Sequence, residues 1–183
     1  MNCTIYFLNS GESSPLCCVC QDIAVNPVKL PCSHIFCYLC VKGVAVRSGT
    51  CALCRQRIPS TYLDRPTVLN TDSLQIKLSE TPTDHYHWFY EARNGGWWMY
   101  DDRTSAEIER GYREDLQSVK VQISGFLYVI DFEMMVQFRD GIPNRQRKIK
   151  RDKTSNVGIK GVAGIVMGSS ELVTGVEEKR NQN

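Results

Sequence analysis

No stretch of this sequence approaches the ~18 to 20 consecutive apolar residues that a transmembrane helix requires. The N-terminus, MNCTIYFLNSGESSP, also lacks the basic start and apolar segment of a secretory signal peptide. A strong excess of positive charge is missing too, since 22 Lys and Arg stand against 20 Asp and Glu. These absences predict a protein of the cytosol or nucleus without a membrane segment, and they give little support for nucleic-acid binding.

Cysteine is absent after Cys54, and all nine cysteines except Cys3 lie between Cys17 and that residue. The chain of 183 residues is long enough for two small domains, so this cluster marks the first of them. Clustered cysteine pairs in a chain without an export signal indicate a metal site rather than disulfides.

The clustered cysteines and one histidine follow a strict order. Each Cys-x2-Cys pair can direct two sulfurs to one ion, and zinc with four N or S ligands is closed and structural. The tight central stretch cannot place four ligands on one ion while it also serves the flanking pairs, so we predict an interleaved arrangement. One zinc then has the ligands Cys17, Cys20, Cys37 and Cys40, and the other has Cys32, His34, Cys51 and Cys54.

This order, with the segments LPCSHIFCYLC and CALCRQ, resembles a RING finger of the ubiquitin-ligase type. The order excludes a PHD finger, which has its histidine as the fifth ligand, because His34 is the fourth. The resemblance implies that the domain binds a ubiquitin-charged conjugating enzyme (E2) and holds its thioester in a reactive conformation. Catalysis would then be by positioning, with both zinc ions purely structural.

The same resemblance assigns individual residues to the E2 contact. Arg55, directly after the last zinc ligand, matches the linchpin arginine that contacts both the E2 and ubiquitin. The groove for the E2 would be formed by Val19, Val46, Ala52 and Leu53. Many RING fingers have Trp in place of Val46 and Pro in place of Ala52, so we expect weak E2 binding or dependence on a further factor.

The second half of the chain has the alternation of a β-rich domain. We predict strands at 86–92 and 96–101, a helix from about residue 105 that starts with the capping box TSAE at 104–107, and strands in SVKVQIS, GFLYVIDFEMMVQFRD and RQRKIKRD. One helix on a small curved antiparallel sheet fits this order. The fold class is therefore α+β.

The domain organisation follows from these elements. We expect an N-terminal tail at 1–14, the RING finger at 15–62, a linker at 63–83 with one short helix at 72–78, a second domain at 84–164 and a mobile tail at 165–183.

The second domain resembles the WWE domain, through Trp88, the segment GGWWMY and the later Glu107. WWE domains occur in ubiquitin ligases and in ADP-ribosyl transferases, and several bind poly(ADP-ribose). The segments CYLCVKG, CALCRQ, GFLYV, RKIKRD and KGVAG extend the resemblance to ligases of the Iduna type, which join a RING finger to a WWE domain and depend on poly(ADP-ribose). The extra glycine of the Gly95 and Gly96 pair departs from that pattern.

The resemblance also implies a pocket for the iso-ADP-ribose unit of the polymer. Tyr90, Trp98 and Tyr128 would form its walls, Gln137 would bind the adenine edge, and phosphates would be bound by Arg147 and Lys160 with help from Arg93. Lys42 and Arg47, on the RING helix, are candidates to reach the same ligand. We assign Trp88, Trp97 and Phe126 instead to the hydrophobic core.

Two functions of different classes remain open at this point. The first is a ligase that ubiquitinates poly(ADP-ribosyl)ated proteins and is activated by ligand binding, which Arg55 favours. The second is a non-catalytic poly(ADP-ribose) reader with a silent RING finger, which the small residues Val46 and Ala52 favour. Iduna-like ligases bind tankyrases through a long acidic tail, so tankyrases are candidate partners.

A nucleic-acid-binding zinc protein is a third hypothesis, suggested by the basic run at 145–153. It is weakened by the charge of the metal centres, because seven ligand thiolates and two Zn²⁺ lower the formal charge from +2 to about −1.

We predict two zinc ions per chain, measured by elemental analysis of the purified protein. Cys37→Ser should lose one ion, whereas the neighbouring control Cys18→Ser, outside the ligand pattern, should keep both. Because metal binding supplies most of the folding free energy of small zinc domains, removal of both ions by a chelator should unfold the first domain. Equal zinc contents in the two variants would contradict the assignment.

Overall fold

The computed structural model describes residues 5–7, 13–69, 86–153 and 158–166. Its N-terminal domain contains two small antiparallel sheets and one helix. Strands β1 to β3 form the first sheet, β4 and β5 form the second, and a 3₁₀ turn at Ser60–Leu63 follows helix α1. The elements are β1 (Ile5–Phe7), β2 (Ser13–Cys17), β3 (Asp22–Ile23), β4 (Pro27–Lys29), β5 (Ile35–Cys37) and α1 (Tyr38–Arg47).

The core of this domain is small and includes the metal ligands. Val28, Phe36 and Val41 are buried together with Cys17 and Cys51. Such a core buries too little apolar surface to be stable alone, which is the usual reason why domains of this size need a structural metal.

Two segments outside the predicted RING bounds pack against the N-terminal domain. Residues 63–69 were assigned to the linker, but the N–H of Lys29 donates to the carbonyl of Thr67 and the N–H of Leu69 donates to that of Pro27. Ile165, assigned to the tail, is buried against the core of the N-terminal domain. In both cases the reason is tertiary pairing that leaves no periodic pattern in the sequence. The predicted helix at 72–78 lies outside the described residues.

The C-terminal domain is a sheet of eight strands with one helix. Its strand order is β13-β12-β7-β6-β11-β10-β9-β8, and all neighbours are antiparallel except β12 and β7. The elements are β6 (Tyr86–Glu91), β7 (Trp97–Met99), α2 (Asp102–Arg113), β8 (Ser118–Ile123), β9 (Phe126–Asp131), β10 (Val136–Arg139), β11 (Ile142–Lys153), β12 (Ile159–Val162) and β13 (Ile165–Val166). The α+β class is confirmed.

Strand β11 explains the curvature of this sheet. Its first half pairs with β10, and its second half, from Ile149 onward, pairs with β6. The register of the first half shifts between Gln137 and Arg139, and such irregularities bend a strand. One long strand therefore joins two half-sheets that curve around α2.

Helix α2 begins three residues before the predicted start. Its N-cap is the buried Asp101, whose carboxylate accepts hydrogen bonds from the N–H of Thr104 at 3.2 Å and from the Thr104 hydroxyl at 2.6 Å. The sequence contains two overlapping capping signals, Asp101 with Thr104 and Thr104 with Glu107. Burial of Asp101 selects the first, so the prediction from the second was wrong.

Two of the three aromatic residues predicted for the core belong to it. Trp88 is fully buried under α2, and the half-buried Trp97 packs against a second core cluster that includes Phe89 and Met99. Phe126 is half-buried outside the core clusters of the described residues, so the prediction is wrong for it.

The half-buried rings of Trp97 and Phe126 each lie against a cation. The ammonium of Lys150 is 4.5 Å from the Trp97 ring, and the guanidinium of Arg139 is 3.8 Å from the Phe126 ring.

The glutamate that bonds the buried tryptophan is Glu109, two residues after the Glu107 to which the resemblance pointed. The indole N–H of Trp88 donates to Glu109 at 2.8 Å, and Arg151 donates two hydrogen bonds to the same carboxylate, each at 2.9 Å. This set ties the helix to the sheet.

The two helices of the described part of the chain are each too short or too polar to span a bilayer.

We predict that Glu109→Gln lowers the free energy of unfolding of this domain by about 1–2 kcal/mol at pH 7. Hydrogen bonds from Arg151 lower the pKa of the 20% exposed Glu109 from 4.5 to about 2. Because the pKa of Glu109 is lower in the folded state, its ionised carboxylate stabilises the fold above pH 4.5. This stabilisation is lost as the pH falls towards 2.

The difference in unfolding free energy between Glu109→Gln and the parent should therefore be largest at pH 7 and shrink below about pH 4.5. All three tryptophans lie in this domain, so urea unfolding followed by tryptophan fluorescence measures it selectively. Glu107→Gln is the matched control, and an equal loss of stability in both variants would contradict the assignment to Glu109.

Candidate functional site

Both predicted sets of zinc ligands converge in space. Within each set the ligand atoms lie within 4.8 Å of one another, which suits a tetrahedral zinc whose ligand atoms are about 3.8 Å apart. The interleaved grouping is therefore confirmed. The two sets are Cys17, Cys20, Cys37 and Cys40, and Cys32, His34, Cys51 and Cys54.

The chemistry of the first set also fits a divalent cation. Hydrogen bonding to Cys17 raises the pKa of Cys37 to about 12, and hydrogen bonding to Cys17 and Cys37 raises the pKa of Cys40 further, while the pKa of Cys17 itself is lowered. Four thiols so close together cannot all ionise without a cation. Zinc removes this conflict because all four can then be thiolates.

Two of the predicted E2-contact residues are brought together in the N-terminal domain. Val19 and Ala52 line a shallow apolar groove together with Val44. Val46 is 64% exposed on α1, Leu53 is half-buried, and Arg55 is exposed directly after the second zinc loop. The backbone of Arg55 has a φ of 60°, and its N–H donates to the carbonyl of Cys51, which closes the loop and directs the side chain outward.

Sheet register brings the predicted ligand residues of the C-terminal domain to one face. Tyr90 pairs with Ile149 and with Trp98, and Gln137 pairs with Arg147. Directly paired residues point to the same side of a sheet, as do alternate residues of one strand. Tyr128 joins this face as well, because it lies two residues before the partner of Gln137 on β9.

A third tyrosine, Tyr100, which sequence reasoning missed, orders this face. The hydroxyl of Tyr100 donates to the side-chain oxygen of Gln137 at 2.8 Å, and its ring is 4.9 Å from that of Tyr90. Gln137 is only 5% exposed, so the bond fixes its amide in a buried position. Burial raises the pKa of Tyr90 above its usual range, although the guanidinium of Arg147 lies 6.0 Å from its ring.

The only sequence signal for Tyr100 was its place directly after the GGWWM segment, which does not reveal the partner of its hydroxyl. That partner lies 37 residues later in the chain.

One cation of the N-terminal domain lies on the side of α1 that meets the C-terminal domain. The ammonium of Lys42 is 5.7 Å from the centre of the Tyr38 ring, and a Cβ on Gly164 would be 3.1 Å from it. Burial, together with the positive charge of Arg147, lowers the pKa of Lys42.

Arg47 does not reach the ligand pocket, since its guanidinium bonds the carbonyl of Gly125. The prediction for Arg47 was therefore wrong, because residues five apart on a helix are separated by about 140° around its axis.

The remaining predicted ligand residues are Lys160, Trp98 and Arg93. Lys160 packs over Gly96, where a Cβ would be 3.2 Å from its aliphatic carbons, so the glycine that departs from the family pattern makes room for this lysine. Trp98 is half-buried beside Tyr90. Arg93 is exposed in the turn between β6 and β7, and in the described residues no contact joins it to the pocket.

Comparison with known protein families agrees with both halves of the chain. The family "Zinc finger, C3HC4 type (RING finger)" matches residues 13–61, and the WWE domain family matches residues 86–151. The chain therefore contains a member of each family. Its N-terminal domain is a RING finger and its C-terminal domain is a WWE domain.

Curated relatives of this RING–WWE chain share its two-domain core. It is 50% identical over 153 residues to E3 ubiquitin-protein ligase rnf146 of Xenopus tropicalis, and this alignment covers 84% of the chain and 47% of the relative. It is 48% identical over 151 residues to E3 ubiquitin-protein ligase RNF146 of Homo sapiens, which covers 82% of the chain and 41% of the relative. The chain thus spans less than half the length of these relatives.

We predict that Lys42→Met raises the thermal unfolding temperature by about 2–4 °C, which corresponds to roughly 1 kcal/mol. Burial and the positive charge of Arg147 make the charged ammonium of Lys42 unfavourable for the free energy of folding. A methionine of similar length has no such penalty. Because the pKa of Lys42 is lowered in the folded state, the gain should be full at neutral pH and vanish as the pH rises to 10.5. Lys29→Met, at an exposed position of β4, is the control, and a lower unfolding temperature for Lys42→Met alone would contradict the prediction.

Proposed function

We propose that the chain is a RING-type E3 ubiquitin ligase whose WWE domain binds the iso-ADP-ribose unit of poly(ADP-ribose). The ligand would direct ubiquitin transfer to poly(ADP-ribosyl)ated proteins and would also activate the RING finger. The observation that carries this proposal is the place of Lys42, which belongs to the RING helix but whose ammonium packs over Gly164 of the WWE domain, within range of the charge of Arg147. One anion in this pocket would be bound by both domains.

The chemistry of the pocket suits this ligand. Adenine needs an apolar wall and a polar group at its edge, which Tyr90, Tyr128 and the fixed amide of Gln137 supply. A pyrophosphate needs cations, and Arg147 with Lys42 supplies them from two sides. Lys160 would add a third positive charge for the next phosphate of the polymer.

The same pair of cations suggests how the ligand would act on the RING finger. Without an anion, Lys42 and Arg147 repel each other across the domain boundary, so bringing α1 against the WWE domain is costly. A bound pyrophosphate turns this repulsion into attraction and favours the closed arrangement. Since α1 also carries Val46 at the E2 surface, closure would order the surface that binds the E2.

In the RING finger the residues would act by positioning alone. Zinc bound by the two sets of ligands holds the two loops that carry Val19 and Ala52, and Arg55 extends from the second loop towards the E2 and ubiquitin. The names of the relatives support ligase activity. Tankyrases, as poly(ADP-ribosyl)ated proteins, are candidate targets, and cytosol and nucleus are the compartments we propose.

The runner-up is a poly(ADP-ribose) reader whose RING finger is inactive. The small, 64% exposed side chain of Val46 favours it, because it offers little apolar area to an E2.

The test is the rate of ubiquitin discharge from a charged E2 onto free lysine at rising iso-ADP-ribose concentration. We expect the rate to rise about tenfold to a plateau, since allosteric coupling is typically 1–3 kcal/mol. Arg147→Ala should abolish the rise, whereas Lys148→Ala, exposed on the opposite face of β11, should retain it. A rate that stays at background with zinc-loaded protein and several E2 enzymes would favour the inactive reader.

A further inference from the structure

A cleft separates the RING finger from the WWE domain beside α1. It has a volume of about 350 Å³, and its lining includes Val19 and Cys20 of the first zinc loop, Arg47 of α1, and Arg103 of α2. Val19 is also the residue of this loop that the RING resemblance assigns to the E2. The cleft therefore lies directly behind part of the proposed E2 surface.

Arg103 crosses this cleft from the WWE domain to the first zinc loop of the RING finger. Its guanidinium donates a hydrogen bond to the carbonyl of Ile23 at 3.0 Å and lies 3.5 Å from the carboxylate of Asp22. One side chain thus contacts a backbone carbonyl and a carboxylate of the loop that directly follows the zinc ligand Cys20.

The base of this side chain is rigid. Arg103 lies in the first turn of α2, between the buried Asp101 and Thr104, whose two hydrogen bonds fix the start of the helix. Its side chain is 33% exposed, so solvent screens the ion pair with Asp22 and the pair alone would contribute little. The guanidinium acts instead through its geometry, because its planar fork donates to several acceptors in fixed directions.

We propose that Arg103 is a positioning residue for ubiquitin transfer, supplied by the WWE domain to the first zinc loop of the RING finger. By holding residues 22 and 23 it sets the position of Val19 at the E2 surface. Contacts outside the ligand set that fix the backbone next to a ligand help to retain a metal ion, so the hold of Arg103 on residues 22 and 23, next to Cys20, slows the loss of the first zinc. The inference rests on the proposed ligase function for its effect on ubiquitin transfer, but not for its effect on zinc.

The contact made by Arg103 is confined to the cleft between the two domains. Arg47 donates to the carbonyl of Gly125 at another part of the cleft, and neither arginine reaches the ligand pocket of Arg147. Loss of Arg103 is therefore expected to alter the E2 surface while leaving the affinity for iso-ADP-ribose unchanged.

The test compares Arg103→Ala and Arg103→Lys with the matched control Arg110→Ala, which removes a positive charge from an exposed position two turns along the same helix. Ubiquitin discharge is measured against E2 concentration at saturating iso-ADP-ribose. For Arg103→Ala we expect the half-saturating E2 concentration to rise about tenfold with little change in the maximal rate, the range typical of contacts that support the ligands of a metal. Lysine keeps the charge but lacks the fork, so it should restore only part of the loss.

A second readout does not depend on ligase activity. With excess chelator and a metallochromic indicator, the first zinc should leave Arg103→Ala several times faster than it leaves the parent, and the second zinc should leave at the parent rate. Asp22→Asn removes the carboxylate partner from the RING side and should move both readouts in the same direction as Arg103→Ala but by less, because the hydrogen bond to the carbonyl of Ile23 remains. It tests the contact even if the arginine variants do not fold.

Zinc release and E2 saturation in Arg103→Ala that match those of Arg110→Ala would overturn the proposal, as would weakened iso-ADP-ribose binding as the sole defect. If the parent protein itself fails to stimulate discharge, the proposed ligase function fails, and the relative zinc release rates still decide whether Arg103 supports the zinc loop.

Discussion

Close contact between the RING helix and one hairpin of the WWE domain is the constraint on which the remaining interdomain geometry depends. Helix α1 lies so near the β8–β9 turn that a Cβ on Gly43 would be only 2.6 Å from the carbonyl oxygen of Ser124. Ser124 and Gly125 both have positive φ, which is the conformation of a tight two-residue hairpin. A residue without a side chain on the helix and a narrow turn on the sheet together permit this approach.

Several contacts between the two domains follow from the close approach of α1 to the β8–β9 turn. Lys42, next to Gly43, is carried towards Arg147, whereas Arg47, one turn later, is carried to Gly125 and to the ring of Phe126. Ile165 closes the arrangement from the other end of the sheet, because it pairs with β12 and is buried in the RING core. The two domains thus share side chains at several places, and a change in one domain has a direct physical route to the other.

Charge has opposite roles at the two ends of the WWE domain. Near α2, Glu109 is surrounded by Trp88, Arg113 and Arg151, and their hydrogen bonds make the carboxylate a structural tie. At the ligand pocket, Lys42 and Arg147 have no carboxylate among their described partners, and burial leaves this pair unfavourable in the absence of an anion. A satisfied network stabilises a fold, whereas an unsatisfied pair of cations is typical of a binding site.

The sequence by itself determined the features that depend on local spacing. The interleaved zinc ligands follow from Cys-x2-Cys pairs, and the strands of the WWE domain follow from alternation, since both patterns express the geometry of a few neighbouring residues. Resemblance then identified Tyr90, Tyr128, Gln137 and Arg147, which sheet register places on one face.

Only the tertiary structure decided what depends on residues far apart in the chain. It selected Asp101 over Thr104 as the helix cap, paired Tyr100 with Gln137, separated Lys42 from Arg47, and brought Arg103 to the first zinc loop. Each of these outcomes depends on burial or on a partner at least 37 residues away, or on the rotation of a helix against another domain. Local sequence contains no record of such contacts, because short-range propensities are the same whichever distant surface a residue meets.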